Sequence, residues 1–303
     1  MKRINLFFGC FIILAGLLSC TSSADPVDSA ALNNKETGSP VWKISRGSNV
    51  MYLGGSIHTL RDTDFPLPDE FDYAFSMSDV LVLETDINKM NSQEVQEYLI
   101  FNSLFLDGRS LKTVLSPQTF EILSQVCAEY GFPIVDEIEL FKPSMVINIL
   151  TVLMIQELGF AEEGVDQYYF EKAVRENKPV SFLETLQSQI DVMVSMGEGY
   201  EDEYVLYSLQ DIDDTEADLD IMVAEWKKGI TATAEESLTE MINEWPMLYK
   251  SMITDRHDVW FPQIDEFLVS GKTHFVIVGF LHLPGPYGLL KYLENSGCTV
   301  EQL

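Results

Sequence analysis

Positive charge is scarce in this chain of 303 residues, which carries 19 lysines and arginines against 48 aspartates and glutamates, a formal net charge of −29. So acidic a chain repels a phosphate backbone, and we exclude nucleic acid as a partner. The acids crowd together between residues 198 and 220. Because this segment lacks the regular ligand spacing and the glycine of a hand-type calcium loop, we interpret it as a solvated helix and loop surface rather than a calcium site.

Cysteine is also scarce, with four residues. Cys10 lies in an apolar N-terminal run and Cys20 follows that run, which leaves Cys127 and Cys298 for the folded part of the protein. These two could pair in an oxidising compartment. However, Cys127 falls on the apolar side of a predicted helix and Cys298 begins a predicted terminal strand, so two buried free thiols explain the sequence equally well.

No apolar run is long enough to cross a bilayer comfortably as a helix of the mature protein. The N-terminal run from Ile4 to Leu18 follows Lys2 and Arg3, which is typical of a signal peptide. It ends in Leu17-Leu18-Ser19-Cys20, which resembles the bacterial lipobox, whose cysteine is acylated and becomes the first mature residue. We therefore predict a lipoprotein anchored through Cys20, the alternatives being an uncleaved anchor or a coincidental cysteine.

Three segments follow from this pattern. Residues 1–19 are predicted to form the signal peptide, residues 20–40 a flexible tether rich in small polar side chains, and residues 41–303 the folded domain. The predicted location is the cell envelope, with the domain held at a membrane by its N-terminal lipid. Thr21 is not the acidic residue expected of a lipoprotein retained at the inner membrane, so we favour the outer membrane.

The folded domain has strand patterns near both ends of the chain and a helical block between them. Short runs of strand-favouring residues occur at 41–44, 50–54, 80–83, 179–183 and 274–278, and the long segments between them have helical spacing of apolar residues. With 46% hydrophobic residues, the chain can bury a large core. The sequence therefore predicts one α/β (α+β) domain in which many helices flank a central mixed sheet.

Two Gly-x-x-His motifs, Gly55 to His58 and Gly279 to His282, each follow a predicted strand in a chain that has four histidines. The carboxyl edge of a sheet is where the sites of α/β proteins collect, so both imidazoles are expected there. Glu84 ends a third strand. If these side chains converge, two imidazoles and one carboxylate would bind a divalent metal that makes hydroxide near neutral pH. Histidines at strand ends also serve structural roles. The repeated unit is compatible with an internal duplication but does not establish one.

A second carboxylate, Glu184, also follows a predicted strand. It is a candidate catalytic base, although a glutamate at a strand end can equally cap a helix or pair with Arg256. Arg256 is a candidate for stabilising an anionic intermediate, or an anchor for Glu184. His257, in a predicted helix, and His274, at the start of a strand, are assigned to packing or surface roles.

Several motifs in order resemble the TraB/PrgY/GumN family, which includes the Tiki proteases, over about Val41 to Leu303. They are Tyr52 to His58, Val80 to Asp86, Gly164-Val165-Asp166, Asn177-Lys178-Pro179-Val180, Leu183-Glu184-Thr185 with Gln189, Trp226-Lys227-Lys228-Gly229, Thr254-Asp255-Arg256, and Val278 to Gly285 with Gly288-Leu289-Leu290. Two positions depart from the family pattern, since His257 stands where relatives commonly have Asn and Ile230 where many have Asp.

The resemblance implies a fold like that of the erythromycin-esterase and ChaN-like proteins. It also implies a site in which His58, His282 and Glu84 bind a divalent metal, manganese or cobalt rather than zinc. We assign catalytic roles to Glu84, Glu184 and Arg256, and substrate contacts to Gly55, Gly279 and Gln189.

Two functions of different classes remain open at this point. The first is a lipid-anchored, metal-dependent, peptidase-like hydrolase acting on a peptide or a small molecule. The second is a non-catalytic envelope protein of the same family that uses the pocket to bind a ligand or peptide.

Overall fold

A six-stranded mixed sheet organises the computed structural model, which describes residues 38–161, 163–210 and 215–303. The predicted signal peptide, the lipidation candidate Cys20, Thr21 and nearly all of the predicted tether lie outside the described residues, as do three acids of the 198–220 segment, Asp211, Asp213 and Asp214. The strands are β1 (Val41–Arg46), β2 (Asn49–Ser56), β3 (Val80–Leu83), β4 (Val180–Phe182), β5 (His274–Gly279) and β6 (Thr299–Gln302).

The strand order is β4-β3-β5-β2-β1-β6. Strands β2, β5, β3 and β4 are parallel to their neighbours within this group, so all four end at the same edge of the sheet. Strand β1 is antiparallel both to β2, through the Gly47-Ser48 turn, and to β6. Every residue of β3 and of β5 is buried, because helices cover both faces of these central strands. The predicted α/β fold with a mixed sheet is confirmed.

Helices fill the connections between the strands. They are α1 (Asp69–Ser76), α2 (Gln93–Ser103), α3 (Leu111–Val114), α4 (Pro117–Glu129), α5 (Pro143–Glu157), α6 (Val165–Glu176), α7 (Leu186–Ser195), α8 (Glu201–Leu209), α9 (Thr215–Trp226), α10 (Ala232–Glu244), α11 (Pro246–Tyr249), α12 (Asp255–Val269) and α13 (Leu289–Asn295).

The helix boundaries follow local signals in the sequence. Ser116 caps α4 by accepting a hydrogen bond from the backbone N–H of Thr119, and a proline occupies the first turn of both α4 and α5. Helix α5 is buried along most of its length, as its apolar residues predicted. Among the described helices, none combines the length and the apolar character that a bilayer crossing requires.

The helix predicted from Met247 to Val269 is wrong in one respect. A π-helical segment, Lys250–Thr254, separates α11 from α12. Such segments are rare and occur frequently at functional sites, because the wider turn rotates the residues that follow it. Here the π-helical segment ends two residues before Arg256, at the point where the helix approaches the carboxyl edge of the sheet.

The two cysteines of the folded domain are both free and buried. Burial raises the pKa of the Cys127 thiol to about 12 and also raises the pKa of Cys298. Of the two possibilities that the sequence left open, the structure therefore has two separate buried thiols.

Candidate functional site

The carboxyl edge of the four parallel strands delivers one polar side chain from each strand. His58 lies two residues after β2, Glu84 directly after β3, Glu184 two residues after β4, and His282 three residues after β5. Because Ser56 and Gly279 are paired in the register of β2 and β5, the two Gly-x-x-His motifs begin side by side. The expected convergence of the two motifs at this edge is therefore present.

Gly279 lies at the centre of this group. Its backbone N–H donates a hydrogen bond of 2.6 Å to Oε1 of Glu84. A Cβ added at Gly279 would lie 3.3 Å from Nε2 of His58, 3.4 Å from Oε1 of Glu84 and 3.5 Å from Cδ2 of His282. The two imidazoles and the carboxylate thus meet around a position that has room because the residue is glycine.

His58 is held by a carboxylate that the sequence did not assign to the site. Oδ2 of Asp166, in the first turn of α6, lies 2.7 Å from Nδ1 of His58, and the hydroxyl of Ser56 donates to the same oxygen. The start of α6 approaches His58 so closely that a Cβ at Gly164 would overlap the His58 backbone. The Asp166 contact fixes the orientation of the imidazole and leaves Nε2 facing Gly279.

The charge of this pair is set by two opposing effects. Burial lowers the pKa of His58, but the Asp166 carboxylate outweighs burial and raises that pKa to about 9. Burial likewise raises the pKa of Asp166, and the neighbouring His58 outweighs it, so that pKa is lowered. At neutral pH the pair is therefore an imidazolium beside a carboxylate.

Arg256 connects the remaining groups. Its Nε and Nη2 atoms donate to Oε1 of Glu184 at 3.0 and 2.6 Å, and Nη2 also donates to Oε2 of Glu84. Its Nη1 atom donates to Nε2 of His282 at 2.9 Å. The guanidinium carbon lies 4.6 Å from the centre of the Trp260 ring. One buried cation thus joins two strand-end carboxylates to one strand-end imidazole.

Burial and charge pairing oppose each other in this network. Burial raises the pKa of Glu184 although Arg256 opposes the rise. Burial lowers the pKa of Arg256, but Glu84 and Glu184 outweigh it, so the net change is upward and the guanidinium stays charged. Gln189, in α7, donates from Nε2 to Oε2 of Glu84 at 2.8 Å. This last contact orients Glu84 and places Gln189 inside the network.

A fourth group, His257, lies behind His282. Its Nε2 atom is 3.0 Å from Nδ1 of His282, and its Nδ1 atom is 2.9 Å from the backbone oxygen of Tyr287. Burial lowers the pKa of His257 to about 4. Burial, followed by the charge of Arg256, lowers the pKa of His282 well below its usual value. Both imidazoles are therefore neutral near pH 7.

The predicted metal ligands can be tested against this geometry. Two imidazoles and one carboxylate are groups that suit a divalent metal. Nδ1 of His58 contacts Asp166 and Nδ1 of His282 contacts His257, as the second nitrogen of a metal-bound histidine usually has a hydrogen-bond partner. Their arrangement does not fit, because Arg256 occupies Nε2 of His282, and that nitrogen lies 4.0 Å from Oε1 of Glu84. Within the described ranges, no group of three or more His, Cys, Asp or Glu side chains is placed to hold a metal ion. A manganese or cobalt cofactor stays a prediction.

The structure brings together all but one of the predicted site residues. Gly55 differs, since a Cβ there would overlap the ring of Phe280 and lie 2.9 Å from Leu283, and its backbone oxygen accepts a hydrogen bond of 2.7 Å from the Trp226 indole. Gly55 thus has a packing role, and its predicted substrate contact stays a prediction.

Sequence reasoning missed the site roles of Asp166, Ser56 and His257. Asp166 belongs to the quoted Gly164-Val165-Asp166 motif, which was the available signal, but an acid in the first turn of a helix is ordinarily explained by the helix dipole. For His257 the signal was its departure from the residue common among relatives. Neither signal shows which residue across the fold is the partner.

The comparison with protein-family models matches the TraB/PrgY/gumN family over residues 40–302. No curated protein and no solved structure matches the chain. The match spans all six strands and every residue of the candidate site.

Proposed function

The chain belongs to the TraB/PrgY/gumN family, and we propose that it is a peptidase-like hydrolase whose centre lies at the carboxyl edge of the sheet. One observation carries the proposal. Around Gly279, Nε2 of His58 and the Glu84 carboxylate approach the same point, and Arg256 pairs with Glu84 and with Glu184. An acid, a base and a fixed positive charge within one buried cluster are the groups that hydrolysis of an acyl bond requires.

His58 is the proposed general acid. With Nδ1 held by Asp166, the proton on Nε2 is the one that faces Gly279 and the site. A pKa of about 9 keeps that proton in place at neutral pH. Donated to the nitrogen of a scissile amide, it would convert the leaving group into a neutral amine as the carbon–nitrogen bond breaks.

Glu184 is the proposed general base, and Arg256 the group that stabilises developing negative charge. Because burial raises the pKa of Glu184, its carboxylate accepts a proton more readily than an exposed glutamate. It would take a proton from water as the water oxygen attacks the acyl carbon, and Arg256 would face the resulting oxyanion. Transfer of that proton from Glu184 back to His58, directly or through water, restores both groups after each turnover.

The predicted divalent metal enters none of these steps. His58, His282 and Glu84 are the residues that would hold it, and Arg256 would first have to release His282. Whether manganese or cobalt binds is a separate question that the experiment below answers independently of activity.

A second function, ligand or peptide binding without catalysis, is favoured by a different observation. The contacts of Arg256 with Glu84, Glu184 and His282 pair its charge with groups of the protein itself. A buried network of this kind can shape a binding pocket and need not change during a reaction. Family membership by itself supports this coarser role.

The test compares variants of the chain from Thr21 onward, with and without added manganese or cobalt. Cleavage of a peptide library is measured by mass spectrometry and bound metal by elemental analysis. His58→Gln and Arg256→Lys are expected to abolish cleavage. His274→Gln is the matched control, since His274 is buried at the opposite end of β5 and lies outside the network.

Three outcomes are distinguishable in folded protein, as checked by thermal unfolding. Cleavage lost in His58→Gln and retained in His274→Gln supports the hydrolase. Cleavage that survives His58→Gln contradicts the assigned acid. Wild-type protein that binds peptides but cleaves none supports the binding function. Metal lost from His58→Gln and His282→Gln would support the predicted cofactor, and wild-type protein that binds neither manganese nor cobalt would contradict it.

We propose further that the domain is anchored in the cell envelope through a lipid on Cys20, at the outer membrane. The supporting observation is the lipobox-like end of the N-terminal apolar run. Incorporation of a labelled fatty acid into the wild-type chain, and its loss in Cys20→Ser, is the expected result. Labelling that persists in Cys20→Ser would contradict the proposal.

A further inference from the structure

We propose that His257 is a positioning residue that holds His282 in its Nδ1–H tautomer, so that the lone pair on Nε2 faces Arg256. This inference deepens the proposed function of the site and rests on it for the effect on catalysis. The tautomer itself follows from hydrogen-bond donors and acceptors alone, and it can be measured whether or not the protein is a hydrolase.

The assignment begins at the backbone oxygen of Tyr287, which can only accept a hydrogen bond. Nδ1 of His257 lies 2.9 Å from this oxygen and must therefore carry the proton. A neutral imidazole carries one N–H, so Nε2 of His257 has a lone pair. A second proton on Nε2 would face Nδ1 of His282 at 3.0 Å, while Nε2 of His282 already accepts from Arg256, so the hydrogen-bond pattern leaves the His257 ring neutral.

The lone pair on Nε2 of His257 in turn determines the tautomer of His282. Its Nδ1 atom lies 3.0 Å from Nε2 of His257, which bears that lone pair, and must donate. Its Nε2 atom lies 2.9 Å from Nη1 of Arg256, which has donors and no acceptor, so Nε2 must accept. Both neighbours of His282 thus demand the same tautomer. Any other arrangement sets two N–H groups against each other or adds a positive charge beside Arg256.

Packing keeps both rings in this orientation. His257 is 1% exposed and His282 is 2% exposed. The His257 ring centre lies 5.1 Å from that of Phe261, and the His282 ring centre lies 4.6 Å from that of Trp260. Buried rings fixed between aromatic neighbours cannot exchange partners without repacking, so the hydrogen-bond chain defines a single arrangement.

The consequence for the site is that Nε2 of His282 is a fixed hydrogen-bond acceptor for Arg256. If His257 offered no lone pair, Nδ1–H of His282 would be buried without a partner. His282 would then shift to give this N–H a partner, which draws its Nε2 lone pair away from Nη1 of Arg256. Arg256 would lose this anchor, and its position between Glu84 and Glu184 would change. A metal bound at His282 would need the same lone pair, so the role of His257 does not depend on which cation is held.

The test is long-range ¹⁵N–¹H correlation spectroscopy of the histidine rings near pH 7, which reports the tautomer of each ring directly. The chain has four histidines, and single His→Gln variants assign their signals. In the wild type, His282 is expected as the Nδ1–H tautomer. His257→Gln places an amide oxygen within reach of Nδ1 of His282 and should preserve that tautomer. His257→Phe keeps a planar ring without an acceptor, so Arg256 alone should hold the tautomer, and the His282 Nδ1 proton, without its partner, should exchange with water faster.

Wild-type His282 observed as the Nε2–H tautomer or as an imidazolium would overturn the proposal, and this measurement needs no variant to fold. An unchanged exchange rate of the His282 Nδ1 proton in folded His257→Phe would also overturn it. If the tautomers behave as expected but the wild type cleaves no peptide, the proposed function fails and the positioning role stands. If the wild type is active, His257→Gln should retain activity that His257→Phe loses, and equal activity of the two variants would contradict the effect on catalysis.

Discussion

Replacement of Asp166 by asparagine tests the ion pair that holds His58. The asparagine side chain would keep the shape of the aspartate and an oxygen that can accept from Nδ1 of His58, so the change removes the charge and little else. Because the pKa of folded His58 is raised from 6.5 to about 9, the pair stabilises the folded protein fully below pH 6.5. That stabilisation is lost as the pH rises through about 9.

The magnitude follows from the raised pKa. At about 1.4 kcal/mol for each unit of pKa, the raised pKa of His58 contributes, net of burial, about 3 kcal/mol at pH 6 and only a few tenths at pH 9.5. The His58 side chain is 22% exposed, so solvent screening reduces the first figure, and we expect about 2–3 kcal/mol. Asp166 is ionised throughout this window, because its pKa is lowered by His58. The pH dependence therefore belongs to His58.

The assay is urea unfolding of wild type and Asp166→Asn at pH 6 and pH 9.5. The variant should be less stable at pH 6 by about 2–3 kcal/mol, and this difference should shrink to under about 1 kcal/mol at pH 9.5. Tyrosine and lysine ionisation affects both proteins alike and cancels. A difference that is the same at both pH values would refute the ion pair as described, and a difference that grows with pH would reverse its sign.

The remaining predictions concern glycines and cysteines. Gly229→Ala and Gly47→Ala introduce a Cβ at nearly the same φ, +62° and +63°, but only the Cβ at Gly229 meets neighbouring atoms. In urea unfolding, Gly47→Ala should lower the free energy of unfolding by about 1–2 kcal/mol, and Gly229→Ala should lower it by about 1–3 kcal/mol more. Equal losses in the two variants would contradict the packing at Gly229. Gly279→Ala should change the free energy of unfolding by under about 1.5 kcal/mol. It should lower the rate of peptide cleavage on the order of 100-fold, because the added methyl group enters the centre of the site. Full activity of this variant would show that the substrate does not use this space. In the chain from Thr21 onward, which has no other cysteine, Cys127 and Cys298 should react with a thiol reagent in denatured protein and not in native protein. Fewer than two reactive thiols in denatured, unreduced protein would indicate a disulfide.

The sheet and its edge were predictable because their signals are local. Val80–Leu83 is a continuous apolar run, which marks a strand covered on both faces, and it leads directly to Glu84. The strand before His58 and the strand before His282 have the same form. Once the strands are parallel, their carboxyl ends share an edge, so the convergence of the polar side chains follows from topology.

Partners across the fold were not predictable in the same way. Asp166 lies 108 residues from His58 in the chain, and His257 lies 25 residues from His282. No periodicity or spacing indicates that these side chains meet, because the contacts depend on how α6 and α12 pack against the sheet. The π-helical segment Lys250–Thr254 before Arg256 was likewise not predicted, because it contains no glycine or proline to mark it.

The Arg256 network argues for function on energetic grounds. Removing a guanidinium and two carboxylates from water costs several kcal/mol for each ion, and apolar side chains of similar volume would often give equal or greater stability. Here the side chains of Arg256, Glu84 and Glu184 are each 6% exposed or less. Stability alone does not require such a cluster at the end of four strands. The cluster instead keeps a cation, two carboxylates and a neutral imidazole in fixed positions beside His58, an arrangement that has value for binding or chemistry and little value for folding.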